Sequence, residues 1–314
     1  MRIVFMGTPD FAVGVLEHLL LTEHEIVGVV TSVDKPAGRG KKINESAVKR
    51  FANANELYLL QPSNLKDKAF IKEVSLLKPD LIIVVAFRML PKEIWQIPRY
   101  GTFNLHASLL PAYRGAAPIN WAIINGENET GVTTFFIDDK IDTGAILLQK
   151  KIEIAHDETA GTLHDKLLQV GKILVEETID GIENKTIIAK AQDQGMISKA
   201  PKLTKTNTKI DWEQCGQTIE YLIRGLSPYP TAWTYLMNKQ SENDPLKIKI
   251  YNAYFKKDKH KENNGSILTS KSSLKVAVND GWLYLTEIQY PGKRKMAVKE
   301  FLNGFSFVEN SYFF

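Results

Sequence analysis

Short apolar runs alternate with amphipathic segments along the first 183 residues, and this alternation restricts the fold more than any other feature. The run "LIIVVAF" (81–87) is almost continuously apolar, which is typical of a central parallel strand covered on both faces. The alternation predicts an α/β fold with a doubly wound, mostly parallel sheet, whose ligands bind beyond the carboxyl ends of its strands. The other strands are predicted at 2–7, 25–32, 101–108, 131–138 and 145–154, and the helices after Pro9 and at 45–56, 70–80, 117–126 and 159–183, the last capped by Thr159 or Thr162.

The pattern changes at about residue 190. The following residues lack a sustained apolar period and are rich in Lys, Thr, Asn, Gly and Pro, which predicts a linker. After one short helix, several strand-like runs crowd into the remaining part of the chain, and they predict a small antiparallel barrel or sandwich. We therefore predict a first domain over 1–189, a linker over 190–207 and a second domain over 208–314.

Composition places the chain among globular proteins. Of its 314 residues, 44% are hydrophobic and 24% are charged, and the formal net charge of +4 permits a polyanionic partner without requiring one. The single cysteine, Cys215, leaves no intramolecular disulfide, which favours a reducing cytoplasm. With no signal-peptide pattern and no apolar run of about 20 residues, we expect a cytoplasmic protein without a membrane partner.

Several common catalytic motifs are missing from the sequence. It has no G-x-G-x-x-G after the first strand, no G-x-x-x-x-G-K-[ST], no H-E-x-x-H and no G-x-S-x-G. The histidines show no zinc-ligand spacing with a partner cysteine. These observations argue against nicotinamide, P-loop, zinc-peptidase and serine-hydrolase chemistry, and no metal is expected.

Polar residues do occur in a pattern at "GTFNLHASLLPAYRG" (101–115). Strand alternation places Asn104, His106 and Ser108 on one face, opposite an apolar face that can be buried. The pattern fits a reactive site, and it fits equally a half-buried edge strand with a polar outer face. A later loop, "DDKIDTGAI" (138–146), supplies carboxylates that could simply be solvated; Asp142 stands out because Thr143-Gly144 follows it and favours a tight turn.

The segment "FNLHASLLPAYRGAAPINWAI" together with "IDTG" resembles the folate-dependent formyltransferases. The start "MRIVFMGTPDFAV", the basic "DKPAGRGKK" and the later "APKLTKTNTKIDW" resemble the branch of this family that formylates methionyl-tRNA, and the similarity covers essentially the whole chain. Two positions depart from the family pattern. The segment "VVAFRMLP" (84–91) stands where the family often has a Tyr-Gly pair and one more residue before Leu-Pro. Lys140 stands where the family often has a glycine.

The resemblance implies a Rossmann-like formyltransferase domain followed by an OB-like barrel that binds tRNA. It implies transfer of the formyl group of 10-formyltetrahydrofolate, a co-substrate, to the α-amino group of methionine on initiator tRNA, by a protein that we expect to be a monomer without a metal. Asn104 and His106 would then donate hydrogen bonds to the oxyanion, and Asp142 would orient or relay protons.

The resemblance also implies where folate binds, near "VVAFRML" and the acidic loop at the carboxyl ends of neighbouring strands. For Phe87, ordinary core packing is an equally good explanation. The predicted folate contacts are Phe87, Arg88, Leu90, Ser108, Leu109, Leu110, Pro111, Asp138 and Asp142.

Charge supports a nucleic-acid partner. From Lys205 onward the sequence has 16 Lys and Arg against 11 Asp and Glu. Because phosphate contacts dominate nucleic-acid affinity, such a surplus suits tRNA, although basic loops are often only solvated. The predicted tRNA contacts are Lys35, Arg39, Lys41, Lys42, Lys293, Arg294 and Lys295.

Three interpretations compete at this point. The first is the tRNA formyltransferase. The second is a formyltransferase or formyl-folate hydrolase that acts on a small molecule, against which the basic loop and the basic second domain argue. The third is a nucleic-acid-binding module without catalysis, in which Asn104, His106 and Asp142 are structural.

Overall fold

The computed structural model describes residues 1–37, 42–193, 195–238 and 245–314. The chain divides into two compact units, which are described separately. The first unit comprises Met1–Gly115, Thr130–Ile152 and His164–Lys199, and the second comprises Ala116–Glu129, Glu153–Leu163 and Ala200–Phe314. Each unit thus consists of three segments that are separate in the sequence. The expected division into a domain over 1–189, a linker over 190–207 and a domain over 208–314 stays a prediction.

The elements are numbered in chain order. The strands are β1 (Arg2–Gly7), β2 (Glu25–Val30), β3 (Lys35–Ala37), β4 (Lys42–Asn44), β5 (Leu59–Leu60), β6 (Leu81–Val85), β7 (Thr102–His106), β8 (Arg114–Gly115), β9 (Glu129–Phe136), β10 (Ile146–Glu153), β11 (Lys199–Ala200), β12 (Ala232–Met237), β13 (Leu246–Lys257), β14 (Ile267–Thr269), β15 (Leu274–Val278), β16 (Gly281–Gln289), β17 (Met296–Ala297) and β18 (Tyr312–Phe313). The helices are α1 (Asp10–Leu19), α2 (Ala47–Ala54), α3 (Lys68–Leu76), α4 (Lys92–Trp95), α5 (Pro118–Ile124), α6 (Ala160–Glu183), α7 (Gly216–Leu226) and α8 (Val298–Leu302).

The first unit is built on a sheet with the strand order β10-β9-β7-β6-β1-β2-β5. The pairs β1–β2, β1–β6, β6–β7 and β2–β5 are parallel, and β9 runs antiparallel to β7. The predicted α/β fold with a mostly parallel sheet is therefore confirmed. Because β7 is hydrogen-bonded on both sides, to β6 and to β9, the edge-strand interpretation of residues 102–106 is excluded.

Apolar side chains cover both faces of this sheet. Val4 and Met6 of β1 belong to a cluster that contains Phe70 of α3 and Ile94 of α4. On the opposite face, Leu105 of β7 lies so near α6 that a Cβ on Gly171 would be 3.0 Å from Leu105 Cδ2. Burial on both faces explains why β6 consists only of buried apolar residues, as expected for a central parallel strand.

Side-chain caps begin several helices where the sequence provides them. Ser46 Oγ accepts a hydrogen bond from the backbone N–H of Lys49 (2.9 Å), at the start of α2. Thr159 Oγ1 accepts one from Thr162 N (3.2 Å), so Thr159 rather than Thr162 caps α6.

The second unit contains an antiparallel sheet with the strand order β14-β15-β16-β13-β12-β18, and β17 pairs with β16. The sheet nearly closes, because Phe313 N in β18 donates to Gly265 O (2.9 Å) and Ile267 N in β14 donates to Ser311 O (3.3 Å). The buried ring of Trp212 stacks on Phe313 at 5.6 Å inside it. The predicted OB-like barrel is confirmed. Among the described residues, no helix combines the length and the apolar character that a bilayer crossing requires.

Candidate active site

His106 is the last residue of β7, and its side chain is only 6% exposed. Its Nε2 lies 2.9 Å from the backbone oxygen of Tyr113. Since a carbonyl oxygen can only accept, Nε2 carries the hydrogen, and in the neutral ring Nδ1 is the unprotonated nitrogen. Nδ1 lies 3.8 Å from Oδ2 of Asp142. The ring therefore presents its unprotonated nitrogen towards a carboxylate.

Asp142 is held in place by backbone geometry. Its φ is +54°, in the left-handed region that Asp tolerates better than most residues because its short side chain can bond locally. The backbone N–H of Gly115 donates to its Oδ2 (2.8 Å). The structure thus brings Asp142 close to His106 across 36 positions of the sequence, and the catalytic roles of both residues stay predictions.

The loop around Asp142 has its own internal bonds. Thr143 Oγ1 donates to Asp138 Oδ1 (2.7 Å), and Lys140 N donates to the same oxygen (2.9 Å). Asp138 therefore shapes the loop, and a contact of Asp138 with folate stays a prediction. At the end of the loop, Gly144 lies against β9, where a Cβ would be 1.7 Å from the backbone oxygen of Phe136.

Asn104 lies two residues before His106 on the same strand, so both side chains leave the same face of β7. Its backbone pairs with Val84 on one side and Phe135 on the other. The side chain is half-buried, and within the described parts of the chain its amide makes no hydrogen bond. The amide N–H groups are therefore available to a bound molecule.

The predicted pterin-binding segment follows directly after β6. Arg88 donates to the backbone oxygens of Pro62 (2.8 Å) and Ser63 (3.2 Å), and its guanidinium lies 5.3 Å from the ring centre of Phe87. Phe87 packs against the apolar cluster that contains buried Leu90. These contacts give Phe87 and Leu90 a packing role, and the folate contacts of all three residues stay predictions.

The turn after β7 is internally bonded as well. Ser108 is fully buried, and its Oγ donates to Ala112 O (2.6 Å). Leu110 N donates to Thr133 Oγ1 (3.1 Å), and the Leu110–Pro111 peptide bond is cis. Leu109 is half-buried beside them. These hydrogen bonds hold the turn in one conformation, and its folate contacts stay predictions.

The predicted tRNA contacts are only partly described. Arg39 and Lys41 lie outside the described residues, while exposed Lys35 lies in β3 and Lys42 in β4. In the second unit, Arg294 Nη2 pairs with Glu300 Oε1 (2.5 Å) and Lys295 Nζ with Glu287 Oε2 (3.0 Å), next to exposed Lys293. Both pairs reduce the local positive charge, and tRNA binding by these residues stays a prediction.

Sequence reasoning missed three residues around the site. Tyr113 binds His106 through its backbone oxygen, while Arg114 and Gln192 form hydrogen bonds with each other. Backbone contacts leave no side-chain signature, and Gln192 lies in a part of the chain that the sequence predicts to be a linker. No sequence signal marks Gln192, and its burial, 6% exposed, is visible only in the structure.

One group of described side chains has the composition of a metal site. His24, Asp180 and Glu183 each place one ligand atom within 4.8 Å of the others. The N-terminal ammonium of Met1 lies 3.3 Å from His24 Nδ1 and 3.9 Å from Glu183 Oε1, so a cation already occupies this group. None of these residues belongs to the site at His106.

Comparisons with known proteins agree with this architecture. The formyl transferase family model matches residues 1–179, and the model of the formyl transferase C-terminal domain matches residues 202–306. The methionyl-tRNA formyltransferase of Flavobacterium johnsoniae is 54% identical over 312 residues, which cover 99% of this chain and 98% of the relative.

Two solved structures share the fold at low identity. HypX from Aquifex aeolicus in complex with tetrahydrofolic acid is 20% identical with a TM-score of 0.64, and the match covers 96% of this chain and 47% of HypX. The sugar 3N-formyl transferase WlaRD, crystallised in the presence of dTDP and 5-N-formyl-THF, is 21% identical with a TM-score of 0.64, and the match covers 94% of this chain and 99% of WlaRD. The matches of both family models and of the full-length relative show that the chain belongs to the formyl transferase family.

Proposed function

We propose that this protein transfers the formyl group of 10-formyltetrahydrofolate to the α-amino group of methionine carried by initiator tRNA. The observation that carries the proposal is the placement of Asp142 3.8 Å from His106 at the end of β7, in a member of this family. The full-length relative with 54% identity, named as a methionyl-tRNA formyltransferase, supports the choice of acceptor.

The reaction needs a nucleophile, an oxyanion donor and a route for one proton. The amine attacks the formyl carbon, a C–N bond forms, and the bond from the formyl carbon to N10 of the folate breaks. The amine loses a proton and N10 gains one, so no oxidant or reductant is required. The Asn104 amide, which makes no hydrogen bond to any described residue, can donate to the developing oxyanion, a contribution of about 3–4 kcal/mol for one well-placed donor.

His106 is placed for the proton transfer. Because Tyr113 O holds the Nε2 hydrogen, Nδ1 is the nitrogen that takes up a proton. The imidazolium that results faces Asp142. Both side chains are largely buried, 6% and 14% exposed, so bulk water screens the interaction between them only weakly. His106 and Asp142 therefore act as one acid–base pair.

The second unit offers a surface that suits a large polyanion. We call it the aromatic–lysine face: Lys205, Lys209, Trp233, Tyr235, Lys247 and Lys249. In the β12–β13 register, Trp233 lies opposite Lys249 and Tyr235 opposite Lys247. Lys247 Nζ is 3.9 Å from the ring centre of Trp233, and Lys209 Nζ is 5.5 Å from that of Tyr235.

Positive charge is concentrated on this face. Partial burial lowers the pKa of Lys247 from its usual value, and the neighbouring charges of Lys205 and Lys249 lower it further. Phosphate groups would relieve this repulsion, and the flat aromatic rings can stack on unpaired bases. The face favours a tRNA acceptor over a small molecule, since a sugar or nucleotide substrate needs no such surface.

We further propose that folate binds along residues 87–90, 108–111 and the acidic loop, and that the protein acts as a monomer in the cytoplasm. The exposed thiol of Cys215 suits a reducing compartment. Gel filtration over a range of protein concentrations tests the monomer.

The function is tested with purified protein, 10-formyltetrahydrofolate and charged initiator tRNA. We expect tetrahydrofolate to be released with methionyl-tRNA and not with free methionine. His106→Ala and Asn104→Ala should each lower turnover about 100-fold or more, as expected for a lost proton-transfer group or oxyanion donor. The matched control is His156→Ala, because His156 is exposed and lies outside the site. Normal turnover in His106→Ala would place the active site elsewhere, and equal release with free methionine would contradict the proposed acceptor.

The tRNA surface is tested by filter binding at several salt concentrations. We expect Lys247→Ala to weaken tRNA binding and to reduce the slope of log K against log salt by about one charge. Lys271→Ala removes one exposed lysine away from the aromatic–lysine face and should leave the affinity nearly unchanged. Equal effects of the two variants would assign the binding to overall charge.

A further inference from the structure

Gln192 connects the loop of Asp142 to Arg114 through four hydrogen bonds. Its Nε2 donates to the backbone oxygens of Asp142 (2.9 Å) and Gly144 (2.8 Å). Its Oε1 accepts from Arg114 Nε (3.1 Å) and Arg114 Nη2 (2.6 Å). The side chain is 6% exposed, so water cannot easily replace these bonds.

The chemistry of these partners requires an amide. Two carbonyl oxygens on one side can only accept, and a guanidinium on the other can only donate. A carboxylate at position 192 would still satisfy Arg114, but it would face the oxygens of Asp142 and Gly144 with lone pairs. An apolar side chain of the same length would leave the polar groups on both sides without these partners. Glutamine satisfies both sides at once.

These bonds complete a closed circuit through the site. His106 bonds to the backbone oxygen of Tyr113, and the chain continues directly to Arg114. Arg114 bonds to Gln192, and Gln192 holds both ends of the Asp142–Gly144 segment. The carboxylate of Asp142 then returns to within 3.8 Å of His106. Every step of the circuit lies in the first unit.

We propose that Gln192 is a positioning residue that, together with Arg114, holds the carboxylate of Asp142 against His106 during formyl transfer. The proposal rests on the proposed function, in which Asp142 assists the proton transfer. It gives a positioning role to a residue outside the sequence motifs, through the hydrogen bonds of Gln192 to the loop of Asp142.

The test compares full-length variants at saturating folate and methionyl-tRNA. A displacement of about 1 Å in a catalytic group can cost 100-fold in rate, so we expect Gln192→Met to lower kcat about 10- to 100-fold. The KM for the folate should stay within about twofold. The matched control is Gln61→Met, since Gln61 Nε2 also donates to two oxygens (both 2.9 Å), those of Ser32 and Asp34, but outside the circuit. Its kcat should be normal.

A second background separates positioning from general stability. If Gln192 acts through Asp142, Gln192→Met should cause no further loss of kcat in an Asp142→Ala protein, whereas independent roles would add. Gln192→Glu provides a second route if Gln192→Met does not fold, because the carboxylate keeps the bonds to Arg114. We expect Gln192→Glu also to lower kcat, since it loses both bonds to the loop.

A normal kcat in Gln192→Met or Gln192→Glu, or a full additional loss in the Asp142→Ala background, would overturn the positioning role while the proposed function stands. A normal kcat in Asp142→Ala would overturn the acid–base role of Asp142 and the positioning role with it, whereas a native protein that does not formylate methionyl-tRNA would overturn the proposed function.

Discussion

The loop that carries Asp142 can be displaced by one methyl group. Gly144 has no φ requirement for glycine, but a Cβ built on it lies 1.7 Å from the backbone oxygen of Phe136 and 2.8 Å from its carbonyl carbon. The obstacle is backbone of β9, which cannot rotate away as a side chain can. Gly144→Ala therefore tests how firmly the loop must be seated for activity.

The size of the displacement follows from the contact. Cβ atoms essentially never approach other heavy atoms closer than 3.0 Å, so the 1.7 Å contact requires a shift of at least 1.3 Å. Overpacking of this kind costs about 1–3 kcal/mol of stability. A misplacement of about 1 Å at a catalytic group can cost about 100-fold in rate. The same shift would strain the 2.8 Å bond from Gln192 to Gly144 O.

The assay measures kcat for formyl transfer together with the thermal midpoint. We expect Gly144→Ala to lose about 100-fold in kcat and a few degrees in Tm. The control is Gly304→Ala, where a Cβ meets nothing within 4 Å, and both quantities should be unchanged. Turnover within twofold of the native protein in a folded Gly144→Ala variant would refute the reasoning, because it would show that the Asp142 loop need not be seated against β9.

Two further predictions concern other parts of the chain. Ser46 Oγ caps α2 and also forms a hydrogen bond with Thr31 Oγ1 (2.8 Å). Ser46→Ala removes this oxygen and should lower the free energy of unfolding by about 1 kcal/mol in urea titrations. Exposed Ser75 lies inside α3, so Ser75→Ala should show no such loss and serves as its control. Arg39→Ala should reduce kcat/KM on initiator tRNA with a mismatched acceptor end more than on a paired end, and Arg39→Lys should restore only part of it, because an ammonium cannot stack as a guanidinium does. Equal losses on the two tRNAs would make Arg39 an ordinary phosphate contact.

Local sequence predicted most of the regular structure. The continuous apolar run at 81–87 became β6, and the apolar residues at helical spacing after Pro9 became α1, because burial on one or both faces imposes these periods on the sequence. Short elements such as β8, β11 and β18 were missed. Elements of two residues contain no period, and they exist only because a distant strand completes their hydrogen bonds.

For the candidate site as well, local sequence predicted some features and tertiary contacts decided the others. The spacing of Asn104 and His106 places both on one face of a strand, and the turn after Asp142 follows from its neighbours, so these candidate residues could be selected from the sequence, and their roles in catalysis stay predictions. That β7 is an interior strand, with β9 antiparallel beside it, depends on pairing between segments far apart in the chain.

Only the tertiary structure decided how the candidate reacting groups are held. The sequence cannot show that Tyr113 O fixes the hydrogen of His106 on Nε2, because any residue supplies a backbone oxygen. Nor can it show that Gln192 bonds to Arg114 across 78 positions, since an isolated glutamine in a polar segment has the composition of a linker. Periodic burial is written along the chain and can be recognised from it. Individual long-range hydrogen bonds form only once the folded backbone has brought their two partners together, and for this protein they decide which nitrogen of His106 faces Asp142.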